Sequence, residues 1–329
     1  MIRVRWIAII SILLFIFIVF SNSLAIQISY SAEEYAWTEG SPMEVPRFEV
    51  SAEALNGKIY VIGGGHANGT LMDTVEVYDP KDDKWTFAAP IPEPRDHTGL
   101  TSFDGKLYLV GGFNWHTIPT NNLFIYDPTT NTWTEGAPMP TARAGLSADF
   151  INGTLYAVGG STGDNKGALK TIEAYDPVKN QWVKKADMPT ARHHQTSAVA
   201  GDKLFILGGR VTYVPTNLNQ NEMYEPSHDK WTIEEPLPTN RSGLAAATLG
   251  NYIFAIGGEK KPGSYDTNER YNTETNSWTT EPPMPTNRLG HDAVSVDGKI
   301  YVIGGKTSQP IDSLTGANEI MYTKNEDTN

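Results

Sequence analysis

The heptad KIYVIGG occupies residues 58–64 and returns unchanged at residues 299–305. Four more segments between them follow the same plan: KLYLVGG (106–112), TLYAVGG (154–160), KLFILGG (203–209) and YIFAIGG (252–258). The spacings between successive copies are 48, 48, 49, 49 and 47 residues. The same rhythm carries Trp37, Trp85, Trp133, Trp182, Trp231 and Trp278. An Arg follows each Trp by ten residues: Arg47, Arg95, Arg143, Arg192, Arg241 and Arg288.

Every local signal in the repeat is β. A two-residue turn precedes each Gly-Gly strand, such as Asn56-Gly57, Asp104-Gly105 or Gly250-Asn251. Such pairs supply the positive φ that tight hairpins need. A third strand carries Tyr (TVEVYDP, NLFIYDP, TIEAYDP, NEMYEP, NERYNT, NEIMYT) and a fourth carries Trp. Between them Asp83, Asn131, Asn180, Asp229 or Asn276 stands two residues before Trp, where a left-handed turn residue is required. Each unit is therefore a meander of four antiparallel strands, A to D. A lone sheet of this kind cannot bury both faces, and four-stranded repeats of this length stack radially as propeller blades. The Ser- and Ala-rich A strands (SADF, TSAVA, LAAAT, DAVSV) suit the crowded axis.

The chain has 329 residues, no Cys and a net charge of −12. Disulfides and thiolate metal sites are excluded, and nucleic acid is a poor partner for an acidic surface. Residues 1–25 form a separate segment. Arg3 and Arg5 precede the apolar run Trp6–Phe20, and Ser23-Leu24-Ala25 closes it. This is the tripartite pattern of a cleaved export signal, with an uncleaved anchor as the alternative. Both place the remainder outside the cytoplasm, because the arginines hold the N-terminus inside. Residues 26–34 then read as a short linker and 35–329 as the propeller. Membrane contact is expected only through residues 1–25.

The Gly-Gly, the Tyr-Asp-Pro, the spaced Trp and the Pro-x-x-Arg ahead of strand A together resemble kelch repeats, over residues 35–323. The resemblance implies an all-β, six-bladed kelch propeller, here expected as a monomer. The chain opens with a strand D that has no A, B or C before it, and ends after a strand C. Closure therefore requires Tyr35–Thr38 to pair with Glu319–Thr323, leaving no open edge.

Strand order puts the D–A and B–C loops on one face. The kelch resemblance implies that arginines there line the channel mouth and in some members bind acidic ligands, making Arg95, Arg143, Arg192, Arg241 and Arg288 candidates. For any single Arg a structural role is the stronger reading. Glu76, Glu173, Glu222 and Glu269 each lie two residues before the repeat Tyr, so a buried Arg–Glu pair explains both recurrences. Blade two has Phe124 instead of Glu, which singles out Arg95 as the free one. His97, His193, His194 and His291 follow the repeat Arg closely. The B–C loops add His66, Trp115, His116, Arg210 and Tyr213, and His228 lies on the other face. No His-x-Glu-x-x-His spacing is present, so neither a metal nor a cofactor is expected. Asn68, Asn152 and Asn240 stand in sequons, and Asn152 is also a turn residue.

Two functions fit. The first is an exported, non-catalytic binding propeller that takes an acidic peptide segment or a glycan at the Arg/His mouth. The second is a cofactor-free sugar-acid mutarotase, since size, export signal and blade count resemble the N-acetylneuraminate epimerase type of kelch propeller. A galactose-oxidase-type copper centre is excluded because its Tyr–Cys crosslink needs a Cys.

Overall fold

The computed structural model describes residues 34–66, 68–114, 117–163, 167–212, 216–260, 262–307 and 313–324. Segment 1–25 and the side chains of Trp115, His116 and Tyr213 lie outside the described residues. Among the described residues no helix is long and apolar enough to cross a membrane.

Six antiparallel sheets of four strands each form the blades of a β-propeller. Blade one comprises Ser51–Leu55, Lys58–Ile62, Val75–Asp79 and Lys84–Phe87. Blades two to five begin at Gly99–Phe103, Ser147–Ile151, Thr196–Ala200 and Ala245–Leu249. Blade six takes Asp292–Val296, Lys299–Ile303 and Asn318–Thr323 from the C-terminal end and Tyr35–Gly40 from the N-terminal end. Tyr35 pairs with Thr323 and Trp37 with Met321, so the predicted closure is the observed one.

The core is divided among six clusters, each built from two neighbouring blades. Ile59, Val61 and Tyr78 of blade one, for instance, pack against Val294, Val296 and Tyr301 of blade six. That is why the B strands are buried on both faces while the D strands alternate with solvent. The expected crowding at the axis is visible between blades two and three: a Cβ on Gly99 would lie 2.6 Å from Ala148 Cβ. The Gly-Gly pair serves the joint between blades. Gly64 N donates to Arg95 O of the next blade at 2.8 Å, and a Cβ on Gly63 would come within 2.4 Å of that oxygen.

Trp and the turn Asx form a second joint. Trp85 Nε1 donates to Ser41 O at 2.7 Å, in the loop that enters blade one from its neighbour. Asp83 adopts φ 51° and its Oδ1 accepts from both Ser41 N and the Tyr78 hydroxyl. Blades two to five repeat this set with Asn131, Asn180, Asp229 and Asn276. Blade six differs. Met321, and not Tyr322, takes the register position of the repeat Tyr. The chain has no C–D turn there, hence no Asx to accept from a hydroxyl, and a thioether leaves no polar group unsatisfied.

Candidate functional site

The six repeat arginines are at most 1% exposed. In five blades the guanidinium meets a carboxylate on strand C: Arg47–Glu76, Arg143–Glu173, Arg192–Glu222, Arg241–Glu269 and Arg288–Glu319, at 2.5–3.0 Å. Glu319 joins the four acids expected from sequence because Met321 defines the register of blade six. The same guanidiniums donate to strand B carbonyls, as Arg143 Nη2 does to Ala157 O at 3.0 Å. Arg95 is not free either. Its guanidinium lies 5.1 Å from the Phe124 ring centroid and bonds to Glu93, Asn122 and Thr120. Arg95, Arg143, Arg192, Arg241 and Arg288 are thus held inside the blades, beyond the reach of a ligand at the mouth.

What reaches the mouth is the residue two positions after each Arg: Glu49, His97, Gly145, His194, Gly243 and Gly290. All six have positive φ, between 51° and 64°. Their backbones form a closed ring around the axis, in which each N–H donates to the carbonyl of the preceding blade, from Glu49 N→Gly290 O at 2.6 Å to His97 N→Glu49 O at 3.4 Å. Glycine adopts this conformation without penalty, whereas a side chain costs roughly 1–2 kcal/mol. Three blades use Gly and three carry Glu or His. Among the described residues the other non-Gly positive-φ positions are Asn or Asp in turns, and Thr117. Strain of this kind, kept where a relaxed alternative exists in the neighbouring repeats, singles out Glu49, His97 and His194 as candidate site residues.

The three side chains converge. His97 Nε2 stands 3.0 Å from His194 Nε2 and 3.4 Å from Glu49 Oε2. Blade three lies between the two histidines, and Gly145 opens the space: a Cβ there would be 3.1 Å from His194 Nδ1. Behind the cluster, Asp96 Oδ1 is 2.9 Å from His97 Nδ1, and His193 Nδ1 is 2.5 Å from His194 Nδ1. Burial works against charging His97, but Glu49 and Asp96 together override it and raise its pKa to about 9. Burial, joined by His97 and Arg210, pushes His194 well below the ordinary imidazole value. One charged and one neutral imidazole therefore face each other.

Below the ring a cavity of 170 Å³ runs along the A strands. Glu53, Asp149 and Asp292 project into it from blades one, three and six. Burial raises them to about 8, 6 and 7, and Ser102 and Ser197 hydroxyls on the first two only moderate the shift. Of the remaining sequence candidates, His193 and His291 are buried. His291 Nε2 lies 3.1 Å from Ile256 O, and burial takes its pKa to about 3. Arg210 is paired with Glu259. A second hollow on the opposite face, near Asn152 and Asp202, is formed by turn residues of blades three to five.

Sequence reasoning selected His97 but missed Glu49 and the three channel carboxylates. The signal for Glu49 was present, since aligning the six residues at Arg+2 exposes three glycines and three exceptions.

Six radial blades, closed by an N-terminal strand and carrying buried Arg–Glu pairs beneath an axial mouth, define a ring-closed propeller scaffold. The KLHDC2/KLHL20/DRC7 Kelch-repeats domain matches residues 22–160 and 135–305, and the chain belongs to the kelch-repeat family. Kelch-like protein 33 of Homo sapiens is 38% identical over 61 residues, 18% of this chain and 11% of that protein. Kelch-like protein 23 of Mus musculus is 42% identical over 52 residues, 16% of this chain and 9% of that protein. A putative F-box/kelch-repeat protein of Arabidopsis thaliana is 47% identical over 47 residues, 14% and 12% of the two chains. These matches span about a tenth of the relatives' lengths. The solved structure of YjhT superimposes with a TM-score of 0.74 at 19% identity, over 87% of this chain and 97% of that one, a likeness of fold.

Proposed function

We propose that this chain is an exported, non-catalytic kelch propeller that binds an acidic protein segment at the axial mouth, with Glu49, His97 and His194 as the contact residues. The carrying observation is the ring of six left-handed positions, in which three blades give up the relaxed Gly for these side chains. Export rests on the reading of residues 1–25. Sequence reasoning assigned the acidic preference to the repeat arginines. With those buried, the charged His97 imidazole is the donor at the mouth, and of the channel carboxyls below it Glu53, raised to about 8, holds its proton at neutral pH and so donates as well, while Asp292, raised to about 7, holds it in part.

A glycan or free sugar acid is the second reading, and cavity size supports the first. The 170 Å³ beneath the ring is smaller than the roughly 300–1,000 Å³ typical of small-molecule sites. It suits one side chain inserted from a segment that lies across the mouth.

Peptide and glycan arrays probed with the wild type, His97→Asn and His194→Asn test this. Asn tolerates the left-handed backbone, so folding is preserved. Capture of acidic peptides by the wild type, lost in both variants at unchanged melting, is the expected result. Equal binding in the variants, or binding of glycans alone, would set the reading aside. Faster mutarotation of freshly dissolved α-sialic acid than in buffer, followed by NMR, would favour the mutarotase instead.

A further inference from the structure

We infer that Glu49, His97 and His194 form a binding site for one divalent transition-metal ion of the zinc class, held at the axis by residues of three different blades.

The three ligand atoms, one from each residue, all lie within 4.8 Å of one another. Tetrahedral zinc with Zn–N bonds of about 2.0–2.1 Å places its ligand atoms about 3.3 Å apart. The observed His97 Nε2–His194 Nε2 and His97 Nε2–Glu49 Oε2 separations, 3.0 and 3.4 Å, bracket that value. The two imidazole nitrogens that face each other at 3.0 Å share a proton, and a metal ion can take its place between them. Two imidazoles and one carboxylate are a donor set that suits zinc and leaves its fourth position for water or an incoming anion.

The outer contacts also fit. Metal-bound imidazoles characteristically present their other nitrogen to a carboxylate or another acceptor. Asp96 Oδ1 stands 2.9 Å behind His97 Nδ1, and His193 Nδ1 stands 2.5 Å behind His194 Nδ1. The charge balances as well: two neutral imidazoles with Glu49 and Asp96 offset a dication. Arg210, the nearby cation, has its own partner in Glu259. The glycines complete the case, because a Cβ on Gly290 would come within 2.9 Å of Glu49 Oε1, and one on Gly145 within 3.1 Å of His194 Nδ1. Gly145 and Gly290 thus leave room for the His194 and Glu49 side chains. A bound dication would also supply the positive charge at the mouth that the buried arginines do not.

The inference is independent of any partner, and the test uses none. Untagged full-length chain, stripped with chelator, is titrated with Zn²⁺ by calorimetry and with Co²⁺ by visible absorption. The expected result is one ion per chain, with the intense bands of four-coordinate Co²⁺ and release of protons. His97→Asn and His194→Asn should weaken binding by more than the roughly 10–100-fold that loss of an outer partner costs, and Asp96→Asn should fall within that range. Because a variant can misfold, each is first checked by melting in chelator, and the Glu49→Gly/His97→Gly/His194→Gly triple serves as a second, backbone-relaxed variant. No saturable uptake by the wild type, or uptake unchanged in the triple variant, overturns the inference.

Discussion

Met321 stands opposite Trp37 across the seam of blade six, in the register that Tyr78 and Trp85 hold in blade one. The exchange of Tyr for Met is explained by the missing C–D turn, because the Tyr78 hydroxyl depends on Asp83 at 2.8 Å and blade six has no such residue. Trp37 nonetheless keeps the inter-blade bond of its equivalents, donating to Pro282 O at 3.0 Å.

Removing residues 35–40 should therefore destabilise the whole ring. It exposes strand Asn318–Thr323 as an open edge and takes out Tyr35, which packs on Phe254 at 5.0 Å. A loss of at least about 3–5 kcal/mol is expected, the cost of truncating one large buried aromatic. Denaturant melts of the two chains measure it, and an unchanged midpoint would refute closure by this strand.

Arg143→Ala should act on stability and not on recognition. The change strands Glu173, 3.0 Å from the lost guanidinium and itself buried, at a cost of about 3–5 kcal/mol. A variant that melts like the wild type but no longer binds acidic peptides would return the arginines to the list of ligand contacts.

Gly145→Ala should damage the mouth from a residue that has no side chain. Its φ of 64° makes any Cβ cost about 1–2 kcal/mol, and the methyl group meets His194. The expected outcome is a modest fall in melting temperature with loss of the His97–His194 contact, followed through imidazole NMR resonances. Unperturbed resonances would show that the two rings do not need this gap.

The channel carboxyls give a signed pH dependence. Glu53, at about 8, is protonated in the folded chain over a range in which the unfolded chain, near about 4.3, is ionised. The folded state then binds more protons, so stability falls as pH rises between those values and the contribution is gone above the upper one. Asp292, raised to about 7, acts in the same direction. Glu53→Gln keeps an acceptor for the Ser102 hydroxyl, 2.7 Å away. It should raise the melting temperature by a few degrees at about pH 9 and change it little at about pH 4. A lower melting temperature at both would contradict the assignment.

The repeat made most of the fold legible. Gly-Gly, Trp and the turn Asx each answer a local geometric demand that recurs in every blade, so periodicity alone placed the strands and the seam at Trp37. The Arg–Glu pairs were legible for the same reason. Two things were not. Arg95 was read as free because only its missing Glu was visible, whereas its partners Glu93, Thr120 and Asn122 come from positions without a repeat signature. The meeting of Glu49, His97 and His194 depends on how six loops close around an axis and on which neighbour lacks a Cβ, a three-dimensional fact with no spacing in one chain. Only the departure from Gly at Arg+2 marks it.

On the proposed reading Glu49, His97 and His194 serve binding and are not needed for the fold. Thermal melting of the Glu49→Gly/His97→Gly/His194→Gly variant in chelator tests it most directly, because it gives every blade the residue that blades three, five and six already carry. The expected melting temperature equals or exceeds that of the wild type, since three left-handed side chains are relieved. A clear fall would show instead that the side chains hold the ring together.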